Sequence, residues 1–157
     1  MRALLQRVSR AEVRIDGQVV GRIGRGLVVL LGVAPEDDES VGAALAAKVA
    51  ALRIFADPAG LTNLSIGDVG GSALVVSQFT LYADTRRGRR PSFIRAGAPE
   101  LGERLYDDFC RQLVATGVPV ERGRFGAEMD VDLVNEGPFT IWLDSDELGL
   151  SGRDSGR

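Results

Sequence analysis

The sequence predicts a single α/β domain in which a curled, barrel-like β-sheet is packed by two main helices. Three observations carry that expectation. The chain has 157 residues, the length of one domain, and shows neither an internal repeat nor an interdomain linker. Hydrophobic residues make up 45% and charged residues 26%, the composition of a chain that buries roughly 70% of its unfolded surface without a staple. The hydrophobic periodicity changes along the chain, from a strand-rich N-terminus to a helix, a strand, a second helix and further strands.

Each element has its own signal. Residues 3–9 and 11–15 alternate between apolar and polar, and Asp16-Gly17 then provides a tight hairpin turn. Val19, Val20 and Ile23 continue the strand pattern, and Leu27 to Val33 is a continuous apolar run suited to a strand buried on both faces. Pro35 to Asp38 open a helix, with Glu36 to Glu39 at its positive end. Val41, Leu45, Val49 and Leu52 give that helix its apolar stripe, and alanine fills much of the rest. Asp57-Pro58 and Gly60 interrupt the chain, and residues 61–72 read as irregular. Ala73 to Leu81 is the next strand, followed by an arginine-rich loop over 84–97. Pro99 opens the second helix, Leu101, Leu105, Phe109 and Leu113 step along one face, and Gly117 stops it. Val118 to Phe125, Met129 to Val134 and Phe139 to Leu143 supply the last strands. Residues 145–157 are polar and rich in Gly and Ser, and read as a disordered tail.

Composition also excludes chemistry. There is no histidine, so Ser-His-Asp and Cys-His nucleophile activation and His-ligated zinc are ruled out. The single cysteine, Cys110, forbids an intramolecular disulfide and points to a reducing compartment. The net charge of −3 argues against a generally basic nucleic-acid coat but permits a local basic patch. Lys48 is the only lysine among nineteen basic residues, a bias that codon usage explains. The N-terminus has no apolar signal core, and no stretch approaches the ~18 apolar residues of a membrane span. A soluble, cytoplasmic protein without cofactor, metal or membrane partner is expected.

Four segments could carry chemistry. In Ser77-Gln78-Phe79-Thr80-Leu81 an apolar strand runs into hydroxyl and amide side chains. Such a segment either satisfies loop backbone or forms a strand-terminal site where backbone N–H groups meet a developing oxyanion. Asn135-Glu136-Gly137-Pro138-Phe139-Thr140 reads as a turn between two strands; a cis bond there would hold the Gly137 carbonyl rigidly, which suits steric selection. Arg86, Arg87, Arg89, Arg90 and Arg95 fall within ten residues, and form either a solvated loop or a phosphate-binding stripe. Gln6-Arg7 places an arginine in or beside the first strand.

Together these residues carry a resemblance. SQFTL at 77–81 and NEGPFT at 135–140, at this separation, closely resemble the D-aminoacyl-tRNA deacylase family. Supporting matches are LLQRV near the start, GxGLVVLLGV at 24–33, RIFADPAG at 53–60, GGSALVVSQFTL at 70–81, ADTRRGRRPSF at 83–93 and GRFGAEMDVDLVNEGP at 123–138. The likeness covers about residues 1–144 and leaves out the polar tail. It implies a homodimer that hydrolyses the ester between a D-amino acid and the 3′-terminal adenosine of tRNA, and that also removes glycine from alanine tRNA. It implies that Gly137-Pro138 is a cis dipeptide reaching into the partner's pocket to exclude L side chains. Ser77, Gln78, Phe79, Thr80 and Leu81 would line that pocket, Phe125 and Met129 would lie near the terminal adenine, and Arg7 would help hold the Gly-Pro loop.

The residue types suggest a mechanism without histidine. Backbone amides of Phe79 and Thr80 would stabilise the oxyanion, each such donor being worth ~2.7–4 kcal/mol. The substrate's ribose 2′-hydroxyl would position or activate the water. The Thr80 hydroxyl is the obvious nucleophile candidate, yet no residue in its motif is a competent base for it. Arg86, Arg87, Arg89 and Arg90 are candidates for tRNA phosphates, and no DNA partner is expected. Two competing readings remain: a non-catalytic RNA-binding protein using the arginine loop, and an editing enzyme of the same fold with different chiral selectivity.

Overall fold

One long strand organises the chain. In a computed structural model, which describes residues 1–150, β1 (Arg2–Ile15) turns at Asp16-Gly17 into β2 (Gln18–Ile23), and β3 (Gly26–Gly32) follows. Next come α1 (Glu39–Ala51), β4 (Phe55–Ala56), β5 (Thr62–Leu64) and β6 (Ser72–Ser77). A 3₁₀ turn (Phe79–Tyr82), α2 (Pro99–Ala115), β7 (Val120–Arg122) and β8 (Asp130–Asp144) complete the described elements.

The main sheet has the order β2-β1-β3-β6-β7, with β8 also paired to β1. Antiparallel β1 spends residues 2–8 on β3 and residues 11–15 on β2. The β3-β6 and β6-β7 pairs are parallel. The sheet curls until β2 approaches β7: a Cβ on Gly21 would lie 2.7 Å from the Arg122 carbonyl oxygen, so only glycine lets the two backbones come this near.

Curling gives the sheet two apolar faces. Leu27, Val29 and Leu31 of β3 pack with Ala73 and Val75 of β6 beneath the helices. Val28 of β3 joins Val8, Ala11, Val13, Leu74 and Val76 in the lumen of the curl. The unbroken apolar run at 27–33 therefore serves two cores, because successive side chains of a strand point to opposite faces. The helices cover the first core through Val41, Leu45 and Val49 of α1 and Leu105, Phe109 and Leu113 of α2. Each such buried side chain contributes roughly 1.5–3 kcal/mol.

Several boundaries differ from the sequence expectation. The first helix starts at Glu39, later than Pro35-Asp38, because Asp38 is its N-cap and accepts from the Val41 amide at 3.1 Å. Asp37 turns inward instead, accepting from the Ala34 amide and from the Met1 amine, both at 2.7 Å. The stretch 61–72 contains β5, which pairs with β4 in a small second sheet. The strand expected to reach Leu81 ends at Ser77, where the 3₁₀ turn takes over. Between 118 and 125 only Val120–Arg122 pair as strand, while 130–144 form one continuous strand instead of two. The disorder expected from residue 145 on gives way first to a turn. Ser145 is fully buried, and it binds the Met1 carbonyl through its amide and the Met1 amine through Oγ. Residues 151–157, the rest of that expected tail, lie outside the described residues.

Candidate active site

Where β6 ends, the chain builds one wall of a cavity of about 750 Å³. Ser77, Gln78 and Phe79 line it on one side, with Phe125 and Met129 among its other lining residues. Phe125 also packs against the helix-covered core and Met129 against the lumen core, so the cavity sits where the two cores meet. Phe93, Ile94 and Ala96 to Ala98 ahead of α2, and Pro99 at its start, supply further lining. Phe79 is 56% exposed and meets Phe93 edge-to-face, ring centroids 5.2 Å apart.

The hydrogen bonds of the strand end decide what the wall presents. The Gln78 amide donates to the Leu31 carbonyl at 2.7 Å, holding the end of β6 against β3. Further on, the Leu81 amide donates to the Gln78 carbonyl at 3.2 Å and the Ala83 amide to the Thr80 carbonyl at 3.0 Å. The amides of Phe79 and Thr80, first in the 3₁₀ turn, take no acceptor among the described residues. The Thr80 hydroxyl is contacted by the Gln78 side-chain amide, which donates to it. Thr80 and Leu81 themselves lie outside the cavity lining. Leu81 turns its carbonyl to the Arg2 guanidinium at 2.9 Å.

Gly137 and Pro138 are elsewhere. They sit inside β8, at the crest of a bulge, and not in a turn between strands. Gln6 pairs with Thr140 and Val8 with Asn135, so residues 136–139 of β8 lie opposite Arg7 alone. The Gly137-Pro138 peptide is cis, both residues are exposed, and nothing lies within 4 Å of a Cβ built on Gly137. Asn135 closes the base of the bulge, donating from Nδ2 to the Arg7 carbonyl at 2.9 Å and to the Phe139 carbonyl at 3.1 Å. Arg7 lies across the same base, its guanidinium 4.4 Å from the Phe139 ring centroid and donating to the Ile54 carbonyl at 2.8 Å. Neither Gly137 nor Pro138 lines the cavity of its own chain.

The arginine loop forms a second hollow, of about 540 Å³, lined by Asp84, Arg86, Arg87, Arg90 and Ser92. Asp84 and Ser92 exchange backbone hydrogen bonds at 2.7 and 3.0 Å and so close the loop. Arg86 forks onto Asp84 at 2.8 and 2.6 Å, and this pairing holds the Asp84 carboxyl well below the usual range. Burial pushes the Cys110 thiol up to about 11, so it stays protonated, and it does not line the cavity. No cluster of three or more ligating side chains fit for a metal occurs among the described residues, and no described helix is long and apolar enough to cross a membrane.

The sequence reading missed the contribution of Phe93, Ile94 and Ala96 to Pro99 to the cavity and the clamping role of Asn135. Phe93 stood inside a recognised motif, but only the fold shows that it faces Phe79. Asn135 gave a clearer signal, since its side chain hydrogen-bonds local backbone readily.

A family model described as D-Tyr-tRNA(Tyr) deacylase matches residues 4–144. A D-aminoacyl-tRNA deacylase of Thermomicrobium roseum is 62% identical over 148 residues, covering 94% of this chain and 96% of the relative. One from Ruegeria pomeroyi is 60% identical over 144 residues, covering 92% and 99%. Among solved structures, a c-Myc DNA unwinding element binding protein superposes with TM-score 0.87 at 39% identity, covering 92% of this chain and 98% of that one. A probable eukaryotic D-amino acid tRNA deacylase superposes with TM-score 0.78 at 23% identity, covering 90% and 97%, which bears on the fold alone. Fold, cavity and matches together define an enzyme of the deacylase class. The chain belongs to the D-aminoacyl-tRNA deacylase family.

Proposed function

We propose that the protein hydrolyses the ester joining a D-amino acid to the 3′-terminal adenosine of tRNA, as a homodimer in the cytoplasm. Family membership supports the substrate class. The observation that carries the chemistry is the strand end at Ser77, where Phe79 lines the cavity and the amides of Phe79 and of Thr80, the next residue, take no acceptor among the described residues. A water oxygen bonds to the ester carbonyl carbon, and the negative charge on the carbonyl oxygen is met by these two donors. The carbon–oxygen bond to the ribose then breaks, and the water's proton ends on the 3′-oxygen. The ribose 2′-hydroxyl positions the water, which relieves the protein of supplying a base. Phe125 and Met129 border the adenine, and the loop carrying Arg86, Arg87, Arg89 and Arg90 meets the tRNA backbone.

Chirality is a question of shape. Discrimination of ~10⁴ between D and L esters needs ~5.5 kcal/mol, more than the ~1–3 kcal/mol that one methylene of apolar contact supplies. A backbone wall that clashes with the L side chain supplies the difference. Gly137-Pro138 offers such a wall to a second copy, since it is exposed and absent from the cavity of its own chain. Glycine carries no side chain to clash, so glycine mischarged on alanine tRNA is also a substrate.

The test is release of tyrosine from D-tyrosyl-tRNA and L-tyrosyl-tRNA side by side. Rapid release from the D ester alone is expected. Equal release from both would remove the chiral wall while keeping the hydrolase. Binding without release from either would favour a non-catalytic nucleic-acid binder, a reading the name of the 39%-identical structural relative keeps in view.

A further inference from the structure

We infer that the hollow beneath the arginine loop is a phosphate site for the tRNA acceptor end, in which Arg87 and Arg90 grip the backbone next to the terminal adenosine while Arg86 serves only to shape the loop. This inference rests on the deacylase reading and divides labour within a loop that reading treats as one patch. Three observations carry it.

The first is charge left unspent. Between residues 84 and 95 five arginines face one aspartate, in a chain of net charge −3. Elsewhere Arg2, Arg10, Arg14, Arg22, Arg104, Arg111 and Arg122 each pair with a carboxylate, Arg7 and Arg53 donate to backbone carbonyls, and Arg25 and Arg124 stand singly with no carboxylate partner among the described residues. Arg87 and Arg90 have no carboxylate partner among the described residues. The second is the division within the loop. Asp84 takes Arg86 through its amide at 3.1 Å, Nε at 2.8 Å and a terminal nitrogen at 2.6 Å, which leaves that guanidinium fork occupied. Arg87 and Arg90 line the same hollow with their forks free for the oxygens of a phosphodiester. The third is adjacency. Ser92 lines the hollow and Phe93, the next residue, lines the cavity. Consecutive Cα atoms are about 3.8 Å apart, so one short segment borders both hollows. An RNA 3′ end seated in the cavity leads its first phosphates over this loop.

The experiment compares wild type with the double variant Arg87→Ala/Arg90→Ala on two substrates, D-tyrosyl-tRNA and D-tyrosyl-adenosine, which has no phosphate. A second double variant, Arg104→Ala/Arg111→Ala, removes the same charge from α2, away from the loop. We expect the loop variant to raise KM for the tRNA substrate about tenfold with kcat unchanged. Its KM should also depend less steeply on salt, the log–log slope falling by about 0.7 for each phosphate that the loop no longer neutralises. Its KM for D-tyrosyl-adenosine should equal that of wild type, and the α2 variant should keep the wild-type salt slope. A KM raised equally on both substrates would overturn the inference, since the loop would then be shaping the cavity and not holding phosphate. An unchanged KM and salt slope on tRNA would overturn it as well, while leaving the deacylase reading intact. Wild type inert on both substrates would instead remove the deacylase reading, and this inference with it.

Discussion

Thr80 is the side chain that a search for a nucleophile would choose, and its surroundings argue against it. Its hydroxyl is contacted by the Gln78 amide, which donates and cannot accept a proton. Thr80→Val should therefore lower kcat on D-tyrosyl-tRNA by less than about tenfold, the cost of one peripheral hydrogen bond; a single-turnover measurement showing a loss of about a thousandfold would restore the hydroxyl as nucleophile. Asp144 gives a second residue-scale prediction. Burial pushes its carboxyl up, but hydrogen bonds from Arg2 Nε at 2.8 Å and the Asp146 amide at 2.9 Å outweigh it, and the net shift is downward from 3.8. A carboxyl lowered in the folded state stabilises the fold above its unfolded pKa, and that stability is lost as pH falls through the folded value. Asp144→Asn should cost about 1.5–3 kcal/mol at pH 7 and progressively less as pH falls through the lowered folded-state pKa. Thermal unfolding followed from pH 7 down into acid checks this: the two curves should converge as the carboxyl protonates. Arg2 also holds the Leu81 carbonyl and lies 4.4 Å from the Tyr82 ring centroid, so the substitution loosens the turn beside the cavity too.

At the scale of elements, the β3-β6 pair is the least forgiving part of the fold. A Cβ on Gly26 would stand 1.7 Å from the Ser72 carbonyl oxygen, a backbone atom that no rotamer change can move. Gly26→Ala should cost about 3 kcal/mol or more, which lowers Tm by roughly 6–12 °C in a domain of this size; an unchanged melting curve would show that the strands have room to part. The bulge of β8 makes the opposite case. Deleting Gly137 and Pro138 removes two residues, which keeps the alternation of inward and outward side chains. The fold should survive, while the ratio of D to L release should collapse by at least about a hundredfold. Retained selectivity in the deletion variant would place the chiral wall elsewhere.

For the molecule as a whole, β8 is the element that asks for a partner. It pairs on one edge with β1 and leaves Val131, Val134 and Trp142 exposed at 37%, 41% and 42%. A half-covered fifteen-residue strand with apolar side chains outward is unusual for an isolated domain. Sedimentation equilibrium should return twice the 16.7 kDa of the chain. A monomer that still rejects L-aminoacyl-tRNA would contradict the role proposed for Gly137-Pro138, because neither residue lines the cavity of its own chain.

The sequence by itself determined the elements whose signals are local. The run at 27–33, the apolar stripe of α2 and the Asp16-Gly17 turn each follow from periodicity or backbone freedom within a few residues. It also determined the family, because the motifs at Ser77 to Leu81 and Asn135 to Thr140 are dense and ordered. Only the tertiary structure decided where those motifs end up. The strand stops at Ser77 because Gln78 is captured by Leu31 across the sheet and the chain then tightens into the 3₁₀ turn. Gly137-Pro138, which reads locally as a turn, stays inside a strand because Gln6, Arg7 and Val8 hold both flanks through bonds more than a hundred residues apart in sequence. Loop charge shows the same limit. Five arginines can be counted in the sequence, but which of them line one hollow depends on a fold that brings Asp84 and Ser92 together.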